Sequence, residues 1–207
     1  MTVQARRGLV PLEIAAVIVV ALAPWPAGLP PVLPLLVCAS IARWVRGRAW
    51  TEVLAGGPFA AGVGAVAGAA ALGLALVVGG PVVEVLSQRA VEWSMFPSVR
   101  GNPGQVWLVL VAVVLAAVAA ELALRGWLVE RVLELSPGAP VLPVLVGAIA
   151  EMIVMPGELA VRLGAGLCGL GLGAMYVAGG RSVLAPVLAR GVFAGGAVVL
   201  EALRVIG

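Results

Sequence analysis

Long apolar runs alternate along the chain with short segments rich in proline, glycine and arginine. A helix needs about 20 mostly apolar residues to cross a bilayer, and every backbone polar group must be satisfied within the helix. The pattern therefore predicts an all-α, polytopic transmembrane helix bundle of about six to seven spans. We place the spans at about residues 9–23, 31–44, 56–78, 105–120, 141–155, 159–177 and 182–203.

Two segments between these runs carry predictions of their own. Prolines between positions 24 and 34 predict a tight return between the first two spans. Charged and apolar residues alternate over 81–104, which predicts a short helix lying in the membrane interface. Arg6 and Arg7 precede the first run, but no small-residue cleavage site follows it, so we predict an uncleaved helix and not a signal peptide.

Composition places the chain in lipid. Apolar residues make up 62% of it, charged residues 11%, and the mean hydropathy is +1.15. Soluble domains are nearer 45–50% apolar, so this chain cannot bury its apolar surface within itself. No soluble segment or internal repeat is visible, and we predict one integral membrane domain over 1–207.

The arginines predict the orientation of the spans. With the N-terminus inside, more arginines fall in inner segments than in outer ones, which favours a cytoplasmic N-terminus in a bacterial inner membrane. The inner set is Arg6, Arg7, Arg43, Arg46, Arg48, Arg131 and Arg181, and the outer set is Arg89, Arg100, Arg162 and Arg204.

The ionisable residues are of only two main kinds. All 13 basic residues are arginine, all 10 acidic residues are glutamate, and there is no histidine. A histidine-ligated metal site and a histidine-based catalytic pair are therefore excluded, and we expect no metal and no cofactor. The arginines are scattered, which speaks against nucleic acid and for contact with anionic lipid. Cys38 and Cys168 lie in apolar runs and fit small buried hydrophobes.

A charged pair lies at the end of the fourth apolar run. Glu121 and Arg125 are four residues apart, so they share one helix face and can form an ion pair. Charged residues at this depth are costly and mark a candidate site. The segment alone leaves a second interpretation open, in which Arg125 only extends its guanidinium to the membrane surface.

The sequence around this pair resembles the CAAX prenyl protease and bacteriocin-processing family of intramembrane proteases. Residues 121–126 fit the end of that family's first motif, E-E-x-x-x-R-G. The second motif, F-x-x-x-H, maps onto 149–153, and the last, S-x-x-x-P-x-x-x-H-x-x-x-N, maps onto 182–194 after a glycine-rich helix. The resemblance covers roughly 105–200 and implies a protease-like helical core there.

The resemblance also implies which positions matter. In active members the first glutamate acts on a water, and two histidines with an asparagine or aspartate complete the site. The residues at those positions in this chain cannot do so, and they are Ala120, Ile153, Arg190 and Ala194. We expect no catalytic residue and a vestigial motif made of Glu121, Arg125, Glu151 and Arg190.

Arg190 lies within the last apolar run, where a guanidinium must meet a partner or water. We expect it to pair with Glu121 or, failing that, with Glu151. The alternative is that Arg190 binds an anionic lipid or another subunit.

These features predict a non-catalytic protein that keeps the protease scaffold. It would serve as an accessory, structural or assembly subunit of a larger membrane complex, for example a photosynthetic or respiratory one, with other membrane subunits and lipids as partners. One alternative is an intramembrane protease that uses Glu121 and Glu151 as a carboxylate pair. Another is a lipid-binding or small transporter-like protein.

Overall fold

The computed structural model describes residues 10–23, 32–88, 96–136, 138–155 and 157–206, and these residues form helices and turns without any strand. The predicted all-α class is confirmed. Several predictions lie outside the described residues. They are the placement of Arg6 and Arg7, the proline-rich return before residue 32, and the stretch from Arg89 to Met95 within the predicted interfacial helix.

The helices follow the apolar runs. In chain order they are α1 (Val10–Leu22), α2 (Val32–Val45), α3 (Thr51–Leu54), α4 (Pro58–Leu74), α5 (Gly80–Ser87), α6 (Pro103–Ala123), α7 (Glu130–Leu135), α8 (Val141–Val154), α9 (Leu159–Ala178) and α10 (Leu184–Ala202). Two π-helical segments, Ala75–Gly79 and Leu124–Val129, make α4 continuous with α5 and α6 continuous with α7. We call the continuous run from α6 to α7 the motif helix.

Four of the described helical runs are long and apolar enough to cross a membrane: 58–85, 103–135, 159–178 and 184–202. Helices α2 and α8 are apolar but have 14 residues each. At 1.5 Å per residue such a helix is about 21 Å long, shorter than a hydrocarbon core of about 30 Å. The chain is an integral membrane protein, and length alone supports four of its predicted spans.

The prediction that the third span ends at Val78 and that a separate interfacial helix follows from Pro81 is wrong. The helix continues through Gly80 and Pro81 to Ser87. Proline lacks a backbone N–H and normally ends an α-helix. Here the π segment directly before Gly80 changes the hydrogen-bond spacing, and Pro81 then lies in the first turn of α5, where a missing donor is tolerated.

The described residues divide into two compact units. The first lies within 1–57 and 119–186, and its apolar core joins α2 to the motif helix through Leu35, Ala39, Leu124, Trp127 and Leu128. The second lies within 58–118 and 187–207, where Gly68 of α4 packs directly on the backbone of Ala189 in α10. The prediction of a single membrane domain stays a prediction.

Candidate functional site

Glu121 and Arg125 form the predicted ion pair on the motif helix. Both side chains are fully buried, and Arg125 Nη1 lies 3.3 Å from Glu121 Oε1. Their spacing of four residues places them one above the other on the same helix face. The interpretation in which Arg125 extends to the membrane surface is excluded by its burial.

Arg125 also connects the motif helix to two other helices of the first unit. Its Nη1 lies 2.5 Å from Glu151 Oε2 on α8, and its Nη2 donates a hydrogen bond of 3.1 Å to the carbonyl of Gly169 on α9. Glu151 is only 6% exposed. One guanidinium therefore binds two carboxylates and a backbone carbonyl, and we call Glu121, Arg125 and Glu151 the ionic cluster.

Glycines of α9 allow the close helix approach that brings Glu151 to this cluster. A Cβ built on Gly169 would lie 3.0 Å from Ala148 Cα and 3.3 Å from Glu151 Cβ. Gly166 and Gly173 face α8 in the same way, against Met152 and Val144. Small residues permit such contacts between helices in lipid. Helix α9 therefore packs closely on α8 along one face.

The other sequence-predicted site residues are divided between the two units. Ala120 is buried in the apolar core of the first unit, 8% exposed. Ile153 is 40% exposed. It lies two positions after the buried Glu151, and residues two positions apart on a helix point about 200° away from each other, so Ile153 faces outward. Arg190 and Ala194 are half-buried on α10 in the second unit. The expected pairing of Arg190 with Glu121 or Glu151 stays a prediction.

The chemistry of the ionic cluster is limited by its composition. Arginine stays protonated and cannot act as a base. The nearby replaced position, Ala120, has no proton to exchange. Within the described parts of the chain, no group of three or more His, Cys, Asp or Glu side chains lies close enough to hold a metal ion. The arrangement is suited to fastening three helices together.

A second polar network, which sequence reasoning did not find, lies at one end of the first unit. Arg46 Nη2 is 2.7 Å from Glu13 Oε1 of α1, and Arg46 Nη1 is 3.4 Å from Glu134 Oε2 of α7. Arg131 Nη1 lies 2.7 Å from the same Glu134 oxygen. Arg131 and Glu134 are three residues apart, but Arg46 is 33 positions from Glu13 and 88 from Glu134, and such long-range pairs leave no spacing signal in a sequence. The predicted inner residues Arg46 and Arg131 are thus brought to one end of the unit.

Arg43 lies in the same region and is buried, with 3% of its surface exposed. Its Nη1 donates to the carbonyl of Gly126 at 3.2 Å, its Nη2 donates to the carbonyl of Ala49, and its guanidinium lies 4.6 Å from the centre of the Trp50 ring. Its Nη2 is also 3.9 Å from Glu52 Oε2. Arg43 therefore binds the segment after α2 to the motif helix.

Two further contacts complete this end. The buried hydroxyl of Tyr176 donates to Glu130 Oε1 at 2.7 Å, and Arg181 Nη1 lies 3.9 Å from Glu130 Oε2.

At the exposed Glu52, the hydrogen bond from Arg48 is the main cause that lowers the pKa of the carboxyl below its usual value. Glu52 is therefore ionised at neutral pH.

The apolar helices and the buried ionic cluster together define a class of protein: an integral membrane protein made of helices, with a charged motif buried among them. Residues 102–195 match the model of a protein family described as type II CAAX prenyl endopeptidase Rce1-like. The match confirms the resemblance that the motif residues indicate. Comparison with curated proteins and with solved structures gave no match.

Proposed function

We propose that this chain is a non-catalytic member of the CAAX-protease-like membrane proteins, and that it works as an accessory or assembly subunit of a larger membrane complex. The main observation that supports this proposal is the burial of Glu121 and its contact with Arg125. This surviving glutamate of the motif is fully buried and bound by Arg125, which also binds Glu151 and the Gly169 carbonyl.

The absence of histidine supports the proposal. General acid–base catalysis needs a group that exchanges a proton near the working pH, and histidine does so most often. The four positions that the resemblance assigns to the active site hold Ala120, Ile153, Arg190 and Ala194. Alanine and isoleucine have no exchangeable side-chain proton, and arginine keeps its own.

A structural role for the ionic cluster fits its partners. Arg125 makes contacts to α8 and α9 in addition to its own helix, so the cluster joins three helices at a point buried from solvent. The apolar outer faces of the long helices offer surface for neighbouring membrane subunits and lipids. A bacterial inner membrane with the N-terminus in the cytoplasm is part of the same proposal.

Peptidase assays test the catalytic half of the proposal. The purified full chain would be incubated in mild detergent with prenylated CAAX peptides and with a library of membrane peptides. We expect no cleavage. Cleavage that disappears in Glu121→Gln, but persists in the exposed control Glu158→Gln, would overturn this half.

Mass measurement tests the subunit half. The tagged chain would be extracted from its native membrane in mild detergent and the intact particle weighed. We expect a particle of defined stoichiometry that contains other membrane proteins. A chain that is quantitatively extracted alone would contradict the subunit role.

One observation favours a second candidate, an intramembrane protease with a carboxylate pair. Glu121 and Glu151 both contact the same nitrogen of Arg125, so the two carboxylates are neighbours, and paired carboxylates can divide acid and base roles. Arg125 opposes this, because a bound guanidinium favours the ionised carboxylate and disfavours a general acid. In the peptidase assay, this candidate requires cleavage that both Glu121→Gln and Glu151→Gln abolish.

A further inference from the structure

The segment after α2 crosses one end of the first unit and covers the motif helix beside the ionic cluster. We call residues 47–57 the latch segment; it includes α3. Its outer positions, among them Arg48, Glu52 and Leu54, are exposed, while Val53 is 6% exposed and faces inward. The segment is thus one layer of chain with an exposed outer side.

The inner side of the latch segment contacts Gly126, the residue next to Arg125. A Cβ built on Gly126 would lie 3.3 Å from Trp50 Cζ3 and 3.4 Å from Val53 Cγ2. Gly126 thus allows Trp50 and Val53 to lie directly against the motif helix. The latch segment therefore covers this helix one residue away from the ionic cluster.

Three kinds of contact hold the segment in this position. Arg43 donates to the carbonyls of Ala49 and Gly126 and lies over the ring of Trp50. The backbone N–H of Val183 donates to the carbonyl of Val53 at 2.8 Å. At the end of the segment, a Cβ on Gly56 would lie 2.9 Å from Ser182 Oγ, so glycine lets the chain pass close over the buried Ser182.

Among these contacts, those of Arg43 are expected to contribute most to the stability of the closed arrangement. Its side chain is 4% exposed, and its guanidinium contacts the latch segment and the motif helix at once. A buried guanidinium that loses its acceptors is costly, so the closed arrangement is favoured as long as both carbonyls stay in place. The exposed pair of Arg48 with Glu52 contributes little by comparison, because water screens it.

From this geometry we propose that the latch segment, fastened by Arg43 and Trp50, is a conformational gate that excludes water from the motif helix at Gly126 and from Ser182 at this end of the first unit. The gate opens as a local unit, with residues 47–57 leaving Gly126 and Ser182 while the helices stay folded. This inference goes beyond the proposed function, since it concerns access to Gly126 and Ser182 whether or not the chain cleaves peptides.

Thiol labelling of a residue beneath the latch segment tests the gate. Ser182→Cys supplies a reporter of similar shape at a position that is 6% exposed, in a chain whose own thiols are removed by Cys38→Ala and Cys168→Ala. The full chain would be placed in lipid nanodiscs and treated with a charged, water-soluble methanethiosulfonate reagent. We expect Ser182→Cys to react at least about tenfold more slowly than Glu52→Cys on the outer side.

Variants of the fastening residues then open the gate. Arg43→Ala and Trp50→Leu are each expected to raise the labelling rate of Ser182→Cys by about tenfold or more, whereas the matched control Arg48→Ala leaves it unchanged. Trp50→Leu keeps an apolar side chain and carries the test if Arg43→Ala does not fold. Fast labelling with the fastening residues intact, or a rate unaffected by Trp50→Leu, would overturn the proposal. The peptidase assay is independent of both results.

Discussion

Arg125 Nη1 on the motif helix lies 2.5 Å from Glu151 Oε2 on α8, and both side chains are buried. Removing one partner of a buried ion pair costs more than removing both, because it leaves a buried charge behind.

We therefore expect Arg125→Leu to lower the free energy of unfolding in detergent by about 3–5 kcal/mol. Combining it with Glu151→Gln should restore part of the loss, since the amide carries no charge. The exposed control Arg48→Ala should change stability by less than about 1 kcal/mol. Losses that simply add would show that Arg125 and Glu151 are not coupled.

Any residue larger than glycine at position 169 is expected to lower the stability of the protein. Its added Cβ would lie 3.0 Å from the backbone of Ala148, so Gly169→Ala must push α8 away from α9 and should cost about 1–3 kcal/mol. Gly171 on the same helix has open space around it and is exposed. Gly171→Ala should be neutral or stabilise by up to about 1 kcal/mol, because alanine favours the helix. Thermal unfolding in detergent would measure both, and equal effects would contradict the close-packing role.

Glu201 fastens the end of α10 in the second unit. Its fully buried carboxylate accepts the backbone N–H of Phe96 at 2.8 Å and lies 3.2 Å from Arg100 Nη2. Glu201→Gln retains an acceptor for Phe96, so we expect it to cost about 1–2 kcal/mol, against about 3–5 kcal/mol for Glu201→Ala. Thermal unfolding of the purified variants checks the order. A loss for the glutamine variant as large as that for the alanine variant would show that the hydrogen bond to Phe96 contributes nothing.

The orientation of the first unit can be tested across α9, whose ends carry Arg162 and, just beyond the last turn, Arg181. We expect Arg181→Cys to react with an impermeant thiol reagent from the cytoplasmic side and Arg162→Cys from the other side. Cys38→Ala and Cys168→Ala provide the thiol-free chain. Labelling of both positions from one side would contradict a membrane-spanning α9, and the reverse pattern would invert the proposed orientation.

Most helix positions could be predicted because apolar run length is a strong signal in lipid. The pair of Glu121 and Arg125 could also be predicted, since its partners are four residues apart on one helix. The continuation through Pro81 could not, because proline in a helical pattern ordinarily marks an end and the π segment before it has no sequence signature of its own.

Contacts between helices were the part that sequence could not supply. Glu151 was predicted as part of the vestigial motif and as a second candidate partner of Arg190, whereas its contact with Arg125 depends on how α8 packs within the first unit. Arg43 was predicted only as an inner arginine and Glu13 was not singled out, although Arg43 contacts Gly126 and Glu13 contacts Arg46. Such pairs depend on tertiary packing, which residue spacing does not encode.

The π segment Leu124–Val129 carries one residue more than the α-helical turn it replaces. Each residue of a π turn rotates the chain by less than the roughly 100° of an α-helix, so the extra residue leaves the direction of the following side chains nearly unchanged. Removing one residue inside the segment would therefore restore a regular α-helix and keep Glu130 facing Tyr176 and Glu134 facing Arg46. The same deletion between Glu130 and Glu134 has no extra residue to absorb it and would rotate Glu134 by about 100° away from Arg46. In chains that share this network, a missing residue should therefore be tolerated within the π segment and not beyond it.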